Sequence, residues 1–236
     1  MKPRPSNSPA PEPAIANMER RGIAAIASLL SLLSLFAAMC DSIESPQYTI
    51  VHVESDFEVR LYGNSSWMSA QASDLSFEMA TLNGYQRLFE YTQGANLNCS
   101  RLAMTLPVLT SIVPGAGPLH SSAYVVRFYL PTKFQSTPPT PLPELKLEPY
   151  DWSSHYVAVR KFPGFALDDI VVKEARKLAL SVSRSTWANI TSKSDYAYSI
   201  AQYSTPFQII GRVNEVWVDV EVAGVNGHKL GGVASS

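Results

Sequence analysis

The chain has 236 residues, of which 46% are hydrophobic and 17% are charged, and its formal net charge is −1. That apolar content is enough for one sizeable core or two small ones, whereas the near-neutral charge provides no long-range field to attract nucleic acid or an anionic membrane. The two cysteines, Cys40 and Cys99, exclude a disulfide-dense scaffold and a zinc site built mainly of thiolates.

Residues 1–40 predict a secretory signal. Two arginines precede an uncharged apolar run at residues 22–38, which ends in small residues. A positive flank, a short apolar stretch and small residues at its end are typical of a signal peptide. We expect cleavage after about Ala38 or Cys40, and contact with a membrane only if the segment stays uncleaved as an anchor. A buried core helix is the third possibility.

Three glycosylation sequons agree with the secretory route, at Asn64, Asn98 and Asn189. We therefore predict a secreted glycoprotein, located outside the cell or in a vacuole. If Cys40 is retained, a disulfide with Cys99 is possible in an oxidising compartment.

Alternating apolar and β-branched residues predict strands in the first part of the chain, at residues 48–53, 57–62 and 67–70. A helix is predicted from about Leu75 to Gln93. Asp74 can accept hydrogen bonds from the N–H groups of its first turn, and Gly94 tolerates the left-handed backbone that ends a helix. A loop and a strand are predicted within residues 101–114.

Residues 123–130 predict a strong strand. Five prolines between residues 131 and 143 exclude that stretch from a central position in a sheet, so it is a stiff connection. The same order of elements then returns, with a strand at 155–160, a helix at about 169–183 capped by Asp168 or Asp169, and strands at 196–203 and 214–220.

The two halves are interpreted as a weak internal duplication. Val59-Arg60 and Val159-Arg160 lie one hundred residues apart, on strands that each precede a helix. Each half would contribute a strand–helix–strand–strand unit. The glycine-rich end, residues 222–236, is predicted to be a flexible tail.

Several peptides occur together and in order between about Ser45 and Glu221. They are FEVRLYG at 57–63, LFEYTQGAN at 88–96, MTLPV at 104–108, VAVRKFPGF at 157–165, QYSTPF at 202–207 and NEVW at 214–217. This series resembles the SOUL haem-binding protein family, and it is most similar to the secreted plant branch.

The resemblance implies a domain at residues 44–221 with an α+β fold, like that of bacterial effector-binding domains. Two βαββ-like repeats would form a distorted antiparallel β-barrel, with the helices packed outside. It also implies non-covalent, often weak binding of haem or another tetrapyrrole in an open apolar groove beside the first helix. The sequence has no Cys-x-x-Cys-His motif for covalent attachment of haem.

A porphyrin needs a flat apolar slot, and its propionates need one or two cations. The first helix and the loop after it supply the candidate residues, namely Leu82, Tyr85, Leu88, Phe89, Arg101 and Met104. The alternative for the helical residues is ordinary core packing, for Arg101 a solvated surface charge, and for Met104 core filling.

The chain departs from the family pattern at several positions. One branch of the family has a histidine where this chain has Leu61, and another has basic residues where this chain has Leu82 and Glu90. None of the four histidines, His52, His120, His155 and His228, has a spacing that indicates a metal site. A tetrapyrrole would therefore bind without a predicted axial ligand.

No catalytic residue is predicted. The sequence lacks a Gly-x-Ser-x-Gly elbow, a His-Glu-x-x-His motif and a phosphate-binding glycine loop. Glu58 and Glu215 are expected to form salt bridges with Arg60 or Arg212 rather than act as general acids. We expect a binding protein. The alternatives are an interaction or structural protein that keeps the fold without ligand affinity, and an enzyme that acts on tetrapyrroles.

Overall fold

The computed structural model describes residues 43–74, 76–113, 122–191, 194–204 and 210–222. Two α-helices and ten strands lie within these residues. In chain order they are β1 (Tyr48–Val53), β2 (Glu58–Tyr62), β3 (Ser65–Asp74), α1 (Phe77–Thr92), β4 (Val108–Ile112), β5 (Ser122–Tyr129), β6 (Leu147–Trp152), β7 (His155–Pro163), α2 (Asp168–Arg184), β8 (Ala188–Ile190), β9 (Tyr198–Gln202) and β10 (Val213–Val222). Two short 3-10 helices, Thr132–Phe134 and Pro143–Leu145, lie in the proline-rich connection.

The strands form one antiparallel sheet in the order β1-β2-β7-β10-β9-β4-β5-β3-β6, and β8 pairs with β10 beside this path. The predicted α+β class is confirmed. The predicted barrel is not confirmed, because the described strands β1 and β6 stand at opposite edges and do not pair with each other. The sheet is open.

The order of the strands reveals two equivalent units. The first is β3-α1-β4-β5 and the second is β7-α2-β9-β10, and they meet where β4 pairs with β9. Corresponding elements start 90 or 91 residues apart, at Ser65 and His155, Phe77 and Asp168, Val108 and Tyr198, and Ser122 and Val213. The predicted strand–helix–strand–strand repeat is therefore present.

The predicted spacing of one hundred residues is wrong. Val59 lies on β2, which is the neighbour of β7 in the sheet and not its counterpart. The strands that lead into the two repeats are exchanged between them: β2 pairs with β7 of the second repeat, and β6 pairs with β3 of the first. Val59 and Val159 are similar because both lie on buried neighbouring strands of the sheet, not because they occupy equivalent positions in the two repeats.

The start of α1 corrects the predicted cap. The helix begins at Phe77, and the Ser76 side chain accepts a hydrogen bond from the backbone N–H of Met79. Asp74 instead accepts hydrogen bonds from the Asn83 side chain. The end of the helix is as predicted, since Gly94 follows it with a φ of 110°.

The predicted cap of α2 is wrong, because Asp168 does not cap its own helix. It is the first residue of α2, and the N-cap Leu167 makes no side-chain cap bond. The Asp168 carboxylate accepts a hydrogen bond of 2.8 Å from the backbone N–H of Phe77, and Glu78 accepts one of 3.2 Å from the backbone N–H of Asp168. Each helix start is therefore bonded by a carboxylate of the other helix.

Both faces of the sheet are buried. The helices cover one face, where side chains such as Val59, Leu88 and Leu178 form the core. On the other face Trp67 and Trp217 belong to an aromatic cluster that uses the alternate residues of the same strands. Two strands were not predicted. β8 has only three residues, and β6 contains Pro149, which is tolerated because β6 is an edge strand.

Some predictions fall on residues that the structure does not describe. The predicted signal segment lies within residues 1–42, and the predicted tail lies almost wholly within residues 223–236, so both stay predictions. Within the described ranges, neither helix is long and apolar enough to cross a membrane.

Gly84 allows α1 to lie directly on β5. A Cβ at this position would come within 2.6 Å of the Cβ of Val126, which is fully buried. Gly84→Ala is therefore expected to lower the free energy of unfolding by about 1–3 kcal/mol, although alanine is the better helix former. Urea unfolding followed by tryptophan fluorescence would measure this.

Gly63→Ala is the matched control, because a Cβ at Gly63 would have nothing within 4 Å. It is expected to change the free energy of unfolding by less than about 0.5 kcal/mol. A Gly84→Ala protein as stable as the wild type would show that the helix does not sit this close to the sheet.

Candidate functional site

An apolar groove lies between the first half of α1 and the loop that precedes α2. Leu82 and Tyr85 form the helix side, Phe165 and Leu167 form the loop side, and Val108 of β4 lies between them. The cavity has a volume of about 200 Å³.

The rim of the groove consists of apolar side chains that are about half exposed to solvent. Leu82, Phe165 and Leu167 are 46%, 49% and 46% exposed. Gly164, with a φ of 86°, provides the turn that brings Phe165 to this position. Grouped apolar side chains of this size on a surface indicate a binding site.

Two charged residues line the same groove. The Arg212 guanidinium lies over the ring of Phe165, with its Cζ 4.6 Å from the ring centroid, and the side chain is largely buried. Glu78 lines the groove at the start of α1. Burial raises the pKa of Glu78 above its ordinary value. The hydrogen bond with the Asp168 side chain and the negative charge of Asp168 raise it further.

The structure brings together only two of the predicted site residues, Leu82 and Tyr85. Leu88 has no exposed surface and lies in the core beneath the helix. The Phe89 ring stacks on Tyr85 with 5.9 Å between centroids, and it does not line the groove. In the second half of the helix, Leu88 is therefore taken up by the core, whereas Phe89 stacks on Tyr85 and stays 39% exposed.

The two predicted residues of the following loop lie apart from the groove. Met104 is partly buried against the core, where its sulfur accepts a hydrogen bond from the Thr92 hydroxyl. Arg101 is exposed and does not line the groove. Two groove residues were not predicted as site residues: Phe165, which lies in the peptide VAVRKFPGF, and Arg212, which stands two residues before the peptide NEVW.

Glu215 forms a buried ion pair on the opposite face of the sheet. Both of its oxygens accept hydrogen bonds from Arg60, at 2.9 and 2.7 Å. Tyr203 and Trp217 donate to the same carboxylate, at 2.9 and 2.8 Å. The expected salt bridge is confirmed, and the carboxylate is fully engaged by these four donor groups.

The remaining predicted sites are compatible with their surroundings. Asn64, Asn98 and Asn189 are all exposed, as a glycosylation site requires, although their glycosylation stays a prediction. His52 stacks on Trp187 with 4.3 Å between centroids. The other histidine within the described ranges, His155, bonds to the Ser153 carbonyl.

Three comparisons place the chain among known proteins. The model of the SOUL heme-binding protein family matches residues 43–219. Heme-binding protein 2 of Homo sapiens is 32% identical over 162 residues, which cover 69% of this chain and 77% of that protein. Heme-binding protein 1 of Sus scrofa is 26% identical over 163 residues, which cover 69% and 82%.

Among solved structures, the C-terminal domain of EcmrR is similar, with a TM-score of 0.50 at 10% identity. The match covers 74% of this chain and 98% of that domain. At this level of identity the likeness concerns the fold alone.

The raised pKa of Glu78 predicts how stability depends on pH. A carboxyl group with a raised pKa binds its proton more tightly in the native state, so its contribution is most favourable at low pH and is lost as the pH rises through the native pKa. Glu78→Gln keeps the acceptor for Asp168 and removes this dependence. The stability of Glu78→Gln relative to the wild type should therefore increase from about pH 4 to about pH 7.

Urea midpoints at several pH values would measure the difference. Glu90→Gln, which removes an exposed carboxylate from the same helix, is the matched control variant. A stability difference between Glu78→Gln and the wild type that does not change with pH would contradict the prediction.

Proposed function

The chain belongs to the SOUL heme-binding protein family, and on this premise we propose that it binds haem or another tetrapyrrole non-covalently in the groove between α1 and the loop before α2. The observation that carries the proposal is the open apolar rim of Leu82, Phe165 and Leu167. These side chains offer a flat macrocycle a surface that water now covers.

The polar ends of the ligand would meet Arg212. Its guanidinium lines the groove, and a cation beside an apolar slot suits the propionate groups of a porphyrin. Glu78 at the same groove is less opposed to a propionate when it carries a proton, and its raised pKa favours the protonated form.

The size of the groove favours weak binding. A volume of about 200 Å³ is below the roughly 300–1,000 Å³ of pockets that enclose a drug-sized ligand. A tetrapyrrole would therefore enter with part of its ring and leave the rest in solvent. Weak, reversible binding of this kind suits a carrier or buffer, and the predicted signal segment would direct it to the secretory or extracellular space.

We propose binding without catalysis. Glu215, the buried carboxylate within the NEVW peptide, is held by Arg60, Tyr203 and Trp217, so it serves structure rather than proton transfer. An enzyme that acts on tetrapyrroles would need a reactive group at the groove, and analysis of pigment after incubation would detect its product.

A second candidate is a protein that keeps the fold without ligand affinity. The observation in its favour is the packing of the second half of α1, where Phe89 stacks on Tyr85 and Met104 fills the core beside them. It predicts no saturable change in the Soret band when haemin is added.

Leu82→Glu tests the groove directly. It removes apolar contact and places a carboxylate where the propionates would bind, so the Kd for haemin should rise at least about tenfold. Leu180→Glu is the matched control, because Leu180 is 57% exposed on α2 and does not line the groove. A Soret titration of the wild type and both variants measures the Kd values, and equal affinities would place any bound haem elsewhere.

The residues that line the groove also predict how much the iron of haem contributes to affinity. Among the described residues that line the groove there is no histidine, cysteine or methionine, and burial raises the pKa of Tyr85, so this phenol keeps its proton rather than bind iron. Affinity should therefore come from the macrocycle and its propionates, and metal-free protoporphyrin IX should bind with a Kd within about threefold of that for haemin. Quenching of tryptophan fluorescence measures both. Haemin binding more than about tenfold tighter would reveal an axial ligand.

A further inference from the structure

A second cavity lies on the other face of the sheet from the α1 groove, near the start of the edge strand β6. It has a volume of about 460 Å³, within the range of roughly 300–1,000 Å³ for ligand pockets. Ser69 of β3, Arg127 of β5 and Tyr150 of β6 form its floor and wall. β3 continues beyond its last pair with β6, Ala70 with Leu147, so the cavity opens at this edge.

Arg127 is the central group of this cavity. Only 1% of its surface is exposed. Its terminal nitrogens donate to the Ser111 hydroxyl at 2.7 Å and to the Tyr196 hydroxyl at 2.5 Å. The rings of Tyr150 and Tyr196 lie 4.5 and 4.6 Å from its Cζ. The guanidinium is thus held in one position by two hydroxyl groups and two aromatic faces.

Arg127 nevertheless has no carboxylate of the described residues in direct contact with it. In the described part of the chain no carboxylate lies within 4.0 Å of this guanidinium, and its Nε has no hydrogen-bond partner. Burial lowers the pKa of Arg127, and the more distant charge of Asp219 offsets this only in part.

Arg60 shows the contrast. It is equally buried on the same face of the sheet, but the chain provides it with the Glu215 carboxylate.

A second unused donor stands beside the first. Ser69 is directly opposite Arg127 in the β3–β5 pair, and only 7% of its surface is exposed. Its Oγ has no hydrogen-bond partner. Two buried donors without acceptors, on adjacent strands of one cavity, are an incomplete site.

The cavity rim is also positive. Arg87 and Lys146 line it, and the one carboxylate among the described lining residues is that of Glu148. Arg87 donates to the backbone carbonyls of Gln71 and Leu145 and, like Lys146, is not in an ion pair with any described residue. Glu148 is exposed and lies opposite Ser69 in the β3–β6 pair. It is therefore placed to compete with an entering anion.

We propose that this cavity binds an oxyanion, a carboxylate or a phosphate monoester, whose oxygens accept hydrogen bonds from Arg127 Nε and the Ser69 hydroxyl. Arg87 and Lys146 attract the ligand to the rim. The site is separate from the α1 groove, so it does not depend on tetrapyrrole binding.

The Nε–H group of Arg127 gives a direct readout, because a buried guanidinium N–H exchanges slowly enough to be followed by ¹H–¹⁵N correlation NMR. The full chain would be titrated with acetate and with methyl phosphate, and with potassium chloride at matched ionic strength. A saturable shift of the Arg127 Nε–H signal with either oxyanion, absent with chloride, is expected, and the larger effect identifies the preferred class. No saturable shift, or an equal shift with chloride, would overturn the proposal.

Three variants locate the binding. Ser69→Ala removes one donor with little change in volume, and it should raise the Kd at least about threefold. Glu148→Gln removes the competing charge and should lower the Kd. Arg101→Gln, at an exposed position away from the cavity, is the control and should leave it unchanged.

An unchanged Kd in Ser69→Ala would show that the anion binds elsewhere and would reject the assigned site. Haemin titration of Ser69→Ala should match the wild type, so the two sites are tested independently.

Discussion

The buried ion pair between Arg60 and Glu215 ties β2, the strand that leads into the first repeat, to β10 of the second repeat. Arg60 lies on β2 and Glu215 on β10, with β7 between them. Removing two charges from water is costly, and the cost is offset here by bidentate geometry and by Tyr62, Tyr203 and Trp217, which bond to the same pair. Loss of Arg60 would leave the buried Glu215 carboxylate without its cation, at a cost of about 3–5 kcal/mol.

Most elements of the fold could be predicted from local pattern. Strands such as β1 and helix α2 follow directly from the alternation of apolar residues and the helical stripe. The helix start at Ser76 and the role of Asp168 could not, because Asp168 bonds to a residue 91 positions away in the chain. The strand β6 was missed because Pro149 argues against a strand unless its edge position is known.

The candidate sites show the same division. The apolar stripe on α1 predicted Leu82 and Tyr85. Periodicity cannot tell which residues of a stripe are buried in the core, and Leu88 is one that is. Phe165 faces α1 only because the two helix starts meet. The Arg127 site has no sequence signal, since an arginine in an alternating strand normally indicates a solvated face. The rings of Tyr150 and Tyr196, from distant parts of the chain, cover this one.

The exchange of β2 and β6 between the repeats has a consequence for the origin of the fold. A single repeat with its leading strand would leave a vacant edge beside β3 or β7, and a second copy could fill it by donating the same strand. Such a reciprocal exchange is the geometry of an isologous, domain-swapped dimer with two-fold symmetry. The present chain has the arrangement that fusion of two such subunits would produce, and the junction of β4 with β9 corresponds to the interface between them.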